Sequence, residues 1–364
     1  MIRKRILHVI NSLTFGGAEV LLANSLAPGG LQENTDNYLT YFMGESSLIE
    51  RVDRSVKIIP LEYKGKFDLV RALRKLRKII IDNNISVVHT HLTPSDFYTS
   101  LVLPKKVKQV HTVHSTYSMD RSQRKYNRFL EKHLFFNRKD CNLIFLSSYN
   151  RNDFLRTLKF KGKTFVLNNF IADEFFGKKT SFYSPGTDAL KIIAVGVLRE
   201  EKNYMYLLEV FSFLKDYNIS LDIYGAGDKT QYEKMVNEKN LKIRFMGQHD
   251  NVHTVFKNYD LFILPSKFEG FGLSVFEAMV SGVPVMISNL DSLKSIVEDN
   301  AIYFELDNAE KVAEQIKAIY LHETDINTMA EKAKVYAEKI VKREIYINKL
   351  LEIYKQLPGK SGTM

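Results

Sequence analysis

Short runs of unbroken apolar residues alternate with longer stretches in which apolar positions recur every three or four residues. The first kind reads as strands buried on both faces, the second as helices that cover them. Residues 2–10 give a first strand, followed by a Gly16-Gly17 turn and an apolar-periodic helix from Val20 to Leu26. Strands are predicted at 37–43 and 56–61. An amphipathic helix over 67–83 puts Leu69, Leu73, Leu76, Ile79 and Ile80 on one face. Strands at 86–91, 109–114, 143–148 and 164–168 complete this half, and turn-rich Ser181–Thr187 is the expected linker. The alternation then restarts, with strands at 191–196, from 221 into Gly225-Ala-Gly227, and at 243–247, 261–264 and 283–287. Helices are predicted at 204–215, 309–320 and 327–357. Such alternation through both halves predicts an α/β protein: two Rossmann-like, doubly wound parallel-sheet domains facing each other across a cleft. The expected domains are 1–183 and 184–338. A C-terminal helix at 339–357 is expected to pack back on the first domain, and 358–364 to form a loose tail.

A length of 364 residues fits two cores. The one cysteine, Cys141, excludes an internal disulfide and reads as a small buried hydrophobe. No run approaches the ~18 apolar residues that span a bilayer, and the apolar start is too short for a signal peptide. Charge changes the picture more. The net charge is +10, and residues 1–180 carry 30 Lys/Arg against 16 Asp/Glu, while the remainder is slightly acidic. Such asymmetry points to an anionic partner for the first half.

The most informative run is Glu269-Gly-Phe-Gly-Leu-Ser-Val-Phe-Glu277, between the strand 261–264 and a helix. Its glycines let the backbone approach a ligand, and a helix N-terminus offers unpaired N–H groups to an anion. A carboxylate flanks the turn on each side. Phosphate-binding amides with an acid on either side suggest a nucleotide diphosphate carrying hydroxyl groups to be gripped. Gly16-Gly17 repeats the geometry more weakly.

Two strands, Ser86–His91 and Gln109–His114, close on histidines where ligands sit in open α/β sheets. His114 and His91 are therefore candidates for chemistry, or for hydrogen bonds to neighbouring loops. A zinc site built from His89, His91, His111 and His114 is not expected. Alternate strand positions face opposite sides, and no Cys or carboxylate stands nearby. Arg121 to Lys139 is predicted as a basic helix interleaved with Phe129, Leu130, Leu134, Phe135 and Phe136. It reads either as a solvated face around a core stripe or as a surface for anionic lipid headgroups. No nucleic-acid motif accompanies the charge.

Taken in order, several motifs resemble the retaining glycosyltransferases of family 4, which have the GT-B fold. They are Gly16-Gly17-Ala18-Glu19, Thr112-Val113-His114, Gly196 with Lys202 six residues on, Gly225-x-Gly227, Gly247, the Glu269-x7-Glu277 run, and Ser281-Gly-Val-Pro-Val285. The resemblance runs nearly end to end. It implies an acceptor-binding first domain and a nucleotide-sugar-binding second domain. Glu269 would contact the donor sugar's hydroxyls, and the amides of Phe271, Gly272 and Leu273 the pyrophosphate or sugar. Glu277 would bind the ribose, and Lys202 the diphosphate. Gly16 and Gly17 would close over the phosphates from the other domain. Gly196, Gly225 and Gly227 belong to the donor site on the same grounds, and the segment around Gly247 would border the base. His114 would lie near the reacting carbon. Where the family has an Arg directly after the strand-end Gly, this chain has Val197, and Arg199 is the substitute cation. Asn289–Ser295 lacks the Gly-Gly and Glu usual there, and Phe170 follows Asn169 where a Gly is usual.

Breaking a glycosyl–phosphate bond puts negative charge on the leaving diphosphate. Lys202, Arg199 and helix-end amides at fixed positions would stabilise it. The chain has no Asp-x-Asp, so this charge, with no metal and no cofactor beyond the donor, is expected to suffice. The resemblance implies front-face attack without a covalent carboxylate intermediate. The expected reaction moves a hexosyl or N-acetylhexosaminyl group from a nucleotide-diphosphate sugar, UDP by family frequency, to an acceptor hydroxyl. A lipid-linked or cell-envelope saccharide is the expected acceptor, met at an anionic membrane surface by a protein that is cytoplasmic and peripheral on the inner face. Two other readings stand beside this one: a sugar-nucleotide 2-epimerase of the same architecture, and a non-catalytic nucleotide-sugar-binding subunit.

Overall fold

The computed structural model describes residues 3–14, 16–44, 46–114, 141–177, 183, 189–249 and 251–357. The expected basic helix at 121–139, most of the linker at 181–187 and the tail at 358–364 lie outside the described residues. The chain divides into two units, one comprising residues up to Phe170 and from Arg343 onward, the other Ile171–Lys342.

The first unit contains β1 (Arg5–Ile10), α1 (Gly17–Ser25), β2 (Asp36–Tyr41), β3 (Lys57–Ile58), α2 (Leu69–Asp82), β4 (Val87–His91), α3 (Ser95–Val102), β5 (Lys108–Val113), β6 (Cys141–Phe145), α4 (Ser148–Thr157) and β7 (Thr164–Val166). Its sheet runs β3-β2-β1-β4-β5-β6-β7, every pair parallel. The central strands are buried along their length because helices cover both faces, which explains their uninterrupted apolar character. Cys141 is buried in β6.

One face of this sheet is closed by the helix Arg343–Gln356. Its Tyr346, Ile347, Leu350, Ile353 and Tyr354 are buried in the same core as Ile6, Leu22 and Val87. At about 1.5–3 kcal/mol per large side chain buried, this helix face contributes on the order of 10 kcal/mol, comparable with the net stability of a whole domain. Phe170 is buried too, its ring 4.9 Å from that of Tyr346. Its departure from the usual glycine is therefore a packing feature of the first unit.

The second unit contains β8 (Leu190–Val195), α5 (Tyr204–Ser212), β9 (Ile219–Tyr224), α6 (Thr230–Glu238), β10 (Ile243–Gly247), β11 (Leu261–Leu264), α7 (Leu273–Val280), β12 (Val285–Ser288), α8 (Asp291–Val297), β13 (Ile302–Phe304), α9 (Ala309–Tyr320) and α10 (Ile326–Ile340). Its sheet is β10-β9-β8-β11-β12-β13, again all parallel.

Two sequence expectations are corrected. The boundary at 183/184 follows turn-rich composition, but the contacts change at 170/171. The Ile171 N–H donates to Val341 O at 2.9 Å. The Ser281 hydroxyl donates to Phe175 O, and Tyr183 is buried with its hydroxyl on Tyr320 O. Residues 171–183 thus pack with the second unit where they are described. The single helix expected over 327–357 is two helices, because the Val341 carbonyl turns to Ile171 instead of continuing the ladder.

Candidate active site

In the second unit, three segments meet at the carboxyl ends of the strands, where parallel sheets place their ligands. The exit loop of β8 runs through Gly196 to a 3₁₀ turn, Glu200–Lys202, and enters α5 through Asn203, in the left-handed region at φ 56°. The exit loop of β11 carries Ser266 and Glu269. The Lys267 N–H donates to Glu201 O at 2.8 Å and ties the two loops together, while the Ser288 hydroxyl holds Ser266 O from β12.

This clamp sets the side chains. Lys202 Nζ donates to Glu269 Oε1 at 2.6 Å, and the Ser266 hydroxyl donates to the same oxygen at 2.7 Å. Both charged side chains are largely buried. Glu277, in the second turn of α7, is half-buried. Loss of solvent pushes its carboxyl up to about 7; the Lys202 charge opposes this and Glu174 adds to it. One cation thus acts on two acids, paired with one and near enough to influence the other. Between the acids, Gly272 caps α7 at φ 76° and ψ 55°, a conformation that costs glycine little. This left-handed turn directs the chain into α7, whose first N–H groups lack intrahelical partners. Phe271 is buried, its ring stacked 4.8 Å from Phe276.

The remaining predicted residues fall out differently. Arg199 is exposed and has no ion-pair partner among the described residues, so it is not drawn into the Lys202–Glu269 cluster. A β-carbon on Gly225 would land on the backbone of Gly196, and one on Gly227 would meet Leu198. Both glycines have a packing reason before any ligand is considered. Gly247 ends β10 and accepts the Gly225 N–H at 2.8 Å. The segment 289–295, which lacks the family's Gly-Gly and Glu, lies largely in the short helix α8, whose Leu293 packs against Gly272. Ser266 escaped sequence reasoning, although its position at the end of β11 was the available signal.

In the first unit, Gly16 caps α1 beyond the end of β1, with Gly17 as the first helical residue. His114 follows β5. Burial pushes its imidazole down to about 3, with the His111 charge adding to the effect, and its Nε2 has no partner among the described residues. His91 ends β4 and is almost completely buried.

The expected separation of the histidines is also corrected. His89 and His91 are two residues apart and share a face, with ring centroids 4.1 Å apart. His8 of β1, directly opposite His89 in the sheet, joins them. Only His111 faces the other way, toward Thr90 and Asp96.

Comparison with known proteins adds the family. Residues 4–175 match the model of Glycosyltransferase Family 4, and residues 179–339 that of Glycosyl transferases group 1. The chain belongs to glycosyltransferase family 4. It is 23% identical over 311 residues to the Escherichia coli UDP-Gal:alpha-D-GlcNAc-diphosphoundecaprenol alpha-1,3-galactosyltransferase, covering 78% of this chain and 79% of that one. It is 25% identical over 348 residues to the Acholeplasma laidlawii alpha-monoglucosyldiacylglycerol synthase, covering 84% of each. Among solved structures, Anabaena HepE in complex with UDP and glucose superposes with a TM-score of 0.80 at 15% identity, covering 97% of this chain and all of that one. The fold is that of the GT-B glycosyltransferases, and this family 4 member is a glycosyltransferase.

Proposed function

We propose that this glycosyltransferase moves a hexosyl or N-acetylhexosaminyl group, with retention, from a UDP-sugar to a hydroxyl of a lipid-linked or cell-envelope saccharide. The observation that carries the reading is Lys202 held on Glu269, with half-buried Glu277 beyond it and the amides of Phe271, Gly272 and Leu273 between the acids. On this reading Lys202 exchanges Glu269 for the donor diphosphate, which frees Glu269 for the sugar hydroxyls. Glu277 takes the ribose hydroxyls. The sugar–phosphate bond breaks as the acceptor oxygen bonds the same face of the anomeric carbon, and the acceptor proton passes to the leaving phosphate. Lys202, Arg199 and the α7 amides stabilise the charge on that phosphate. His114, Gly16 and Gly17 are assigned to the reacting carbon and the phosphates from the first unit, and Gly196, Gly225, Gly227 and Gly247 to the donor side.

The UDP and lipid-linked acceptor assignments draw on the activities of the relatives and on the UDP bound by HepE. None of these relatives is an epimerase. A membrane-facing acceptor is also consistent with α2. Phe67 just before the helix, with Val70 and Ile81 on it, is strongly exposed beside exposed Arg74, Arg77 and Lys78. Apolar side chains among cations suit an anionic interface. Among the described residues no helix is long and apolar enough to cross a membrane.

The test is transfer from UDP-, GDP- and ADP-sugars to a polyprenyl-diphosphate saccharide, with product configuration read by NMR and a parallel assay under chelation. An inverted linkage, or activity lost to chelator and restored by manganese, overturns the mechanism. Salt-reversible binding to anionic vesicles is expected, and its absence at low salt removes the membrane surface from the reading.

A further inference from the structure

Beneath the carboxyl ends of the first unit's strands lie three imidazoles that the transfer reaction does not use. His8 and His89 are opposite one another on β1 and β4, and His91 follows two residues along the same face. Their ring centroids form a triangle of 5.6, 4.1 and 5.9 Å, and each side chain is at most 1% exposed. Both ring nitrogens of His91 and Nδ1 of His8 lack a hydrogen-bond partner among the described residues. Buried polar atoms are rarely left in this state, and each instance calls for an explanation such as a bound ion or water. One nitrogen from each of the three rings lies within 4.8 Å of the others.

We propose that His8, His89 and His91 bind a divalent first-row transition metal, with zinc the preferred ion, as a structural clamp between β1 and β4. The ligand chemistry fits: three imidazoles suit zinc, nickel or copper far better than magnesium or calcium. The outer contacts fit as well. Metal-bound histidines usually donate their second ring N–H to an oxygen. Here His8 Nε2 is 3.2 Å from Asn37 Oδ1, which leaves Nδ1 for the metal. His89 Nε2 is 2.7 Å from Thr112 Oγ1, so Nδ1 can turn from the Tyr354 hydroxyl, 2.7 Å away, to the ion. That hydroxyl remains beside the set, where it can hydrogen-bond a water or hydroxide in the fourth position. A tetrahedral site with Zn–N bonds of 2.0–2.1 Å has nitrogens about 3.4 Å apart. Binding therefore draws the three rings inward by small rotations. The clamp is separate from the transfer chemistry, and its test does not depend on activity.

The full chain, stripped with chelator, is titrated with Co²⁺ and then Zn²⁺. Expected are one Co²⁺ per chain with a ligand-field band in the visible, three hyperfine-shifted exchangeable imidazole protons in the NMR spectrum, and displacement by Zn²⁺. His91→Asn and His8→Gln should abolish uptake while the far-UV spectrum is kept. Asn37→Ala should weaken it by about 10–100-fold. If either histidine variant fails to fold, the three shifted protons of the wild type decide the matter. Wild type that retains neither ion after gel filtration overturns the proposal, as does uptake that survives in folded His91→Asn and His8→Gln.

Discussion

Replacing Glu277 by Gln should stabilise the second unit at alkaline pH while impairing donor binding. Desolvation raises the pKa of this carboxyl from 4.5 to about 7. Between these values the folded chain keeps a proton that the unfolded chain has released. The associated stability is complete below about pH 4.5 and is lost as pH rises through 7. A gap of about 2.5 pH units at 1.36 kcal/mol each is about 3 kcal/mol, most of it lost between pH 5 and pH 8. The glutamine variant has no such proton to lose. Urea unfolding of the two proteins at pH 5, 6, 7 and 8 isolates the contribution, because every other titrating group cancels in the difference. The stability difference should grow with pH in favour of the variant and level off above about pH 8. If the two pH profiles run parallel, the burial cost assigned to Glu277 is refuted. Nucleotide affinity should move the opposite way in the wild type, strengthening as pH rises through 7, because ribose hydroxyls donate best to an ionised carboxylate. The variant should bind weakly at every pH.

Lys202→Ala should lower the transfer rate constant by roughly 10²–10³ in a donor-saturated assay, the scale seen when a charge-stabilising group is removed. A wild-type rate would remove Lys202 from the mechanism. Gly225→Ala drives a methyl group into the Gly196 backbone. It should destabilise the second unit by roughly 1–3 kcal/mol or more, read as a lowered unfolding midpoint. Tyr354→Phe removes the partner of His89 Nδ1. In the chelator-stripped chain it should cost the first unit about 1–3 kcal/mol by urea unfolding, because a buried nitrogen is left unpaired.

The parallel sheets were legible because strands buried on both faces leave uninterrupted apolar runs, as at Leu261–Leu264. The Glu269–Glu277 turn was legible because its glycines and acids are adjacent in the chain. Features that depend on distant partners were not. No local pattern marks Ile171 for Val341, Phe170 for Tyr346, or His8 for His89 and His91. Asp222 reads as an interruption in an apolar strand, yet it accepts two bonds from Arg244, at 2.7 and 2.6 Å, and one from Tyr259, at 2.7 Å. Short helices such as Asp291–Val297 were missed because two turns are too few to establish a period. The role of Arg199 was carried over from a family pattern that the chain itself breaks at Val197.

The Arg343–Gln356 helix has a consequence for the order of events on the ribosome. It seals the sheet that begins at residue 5, yet it is synthesised only after all of the second unit. Domains usually fold in the order of their synthesis. Here the earlier half must wait, with its apolar face uncovered, while the later half closes first. A premature stop within codons 343–356 would therefore release a chain whose second unit is finished and whose first unit keeps an apolar face uncovered, a natural client for chaperones.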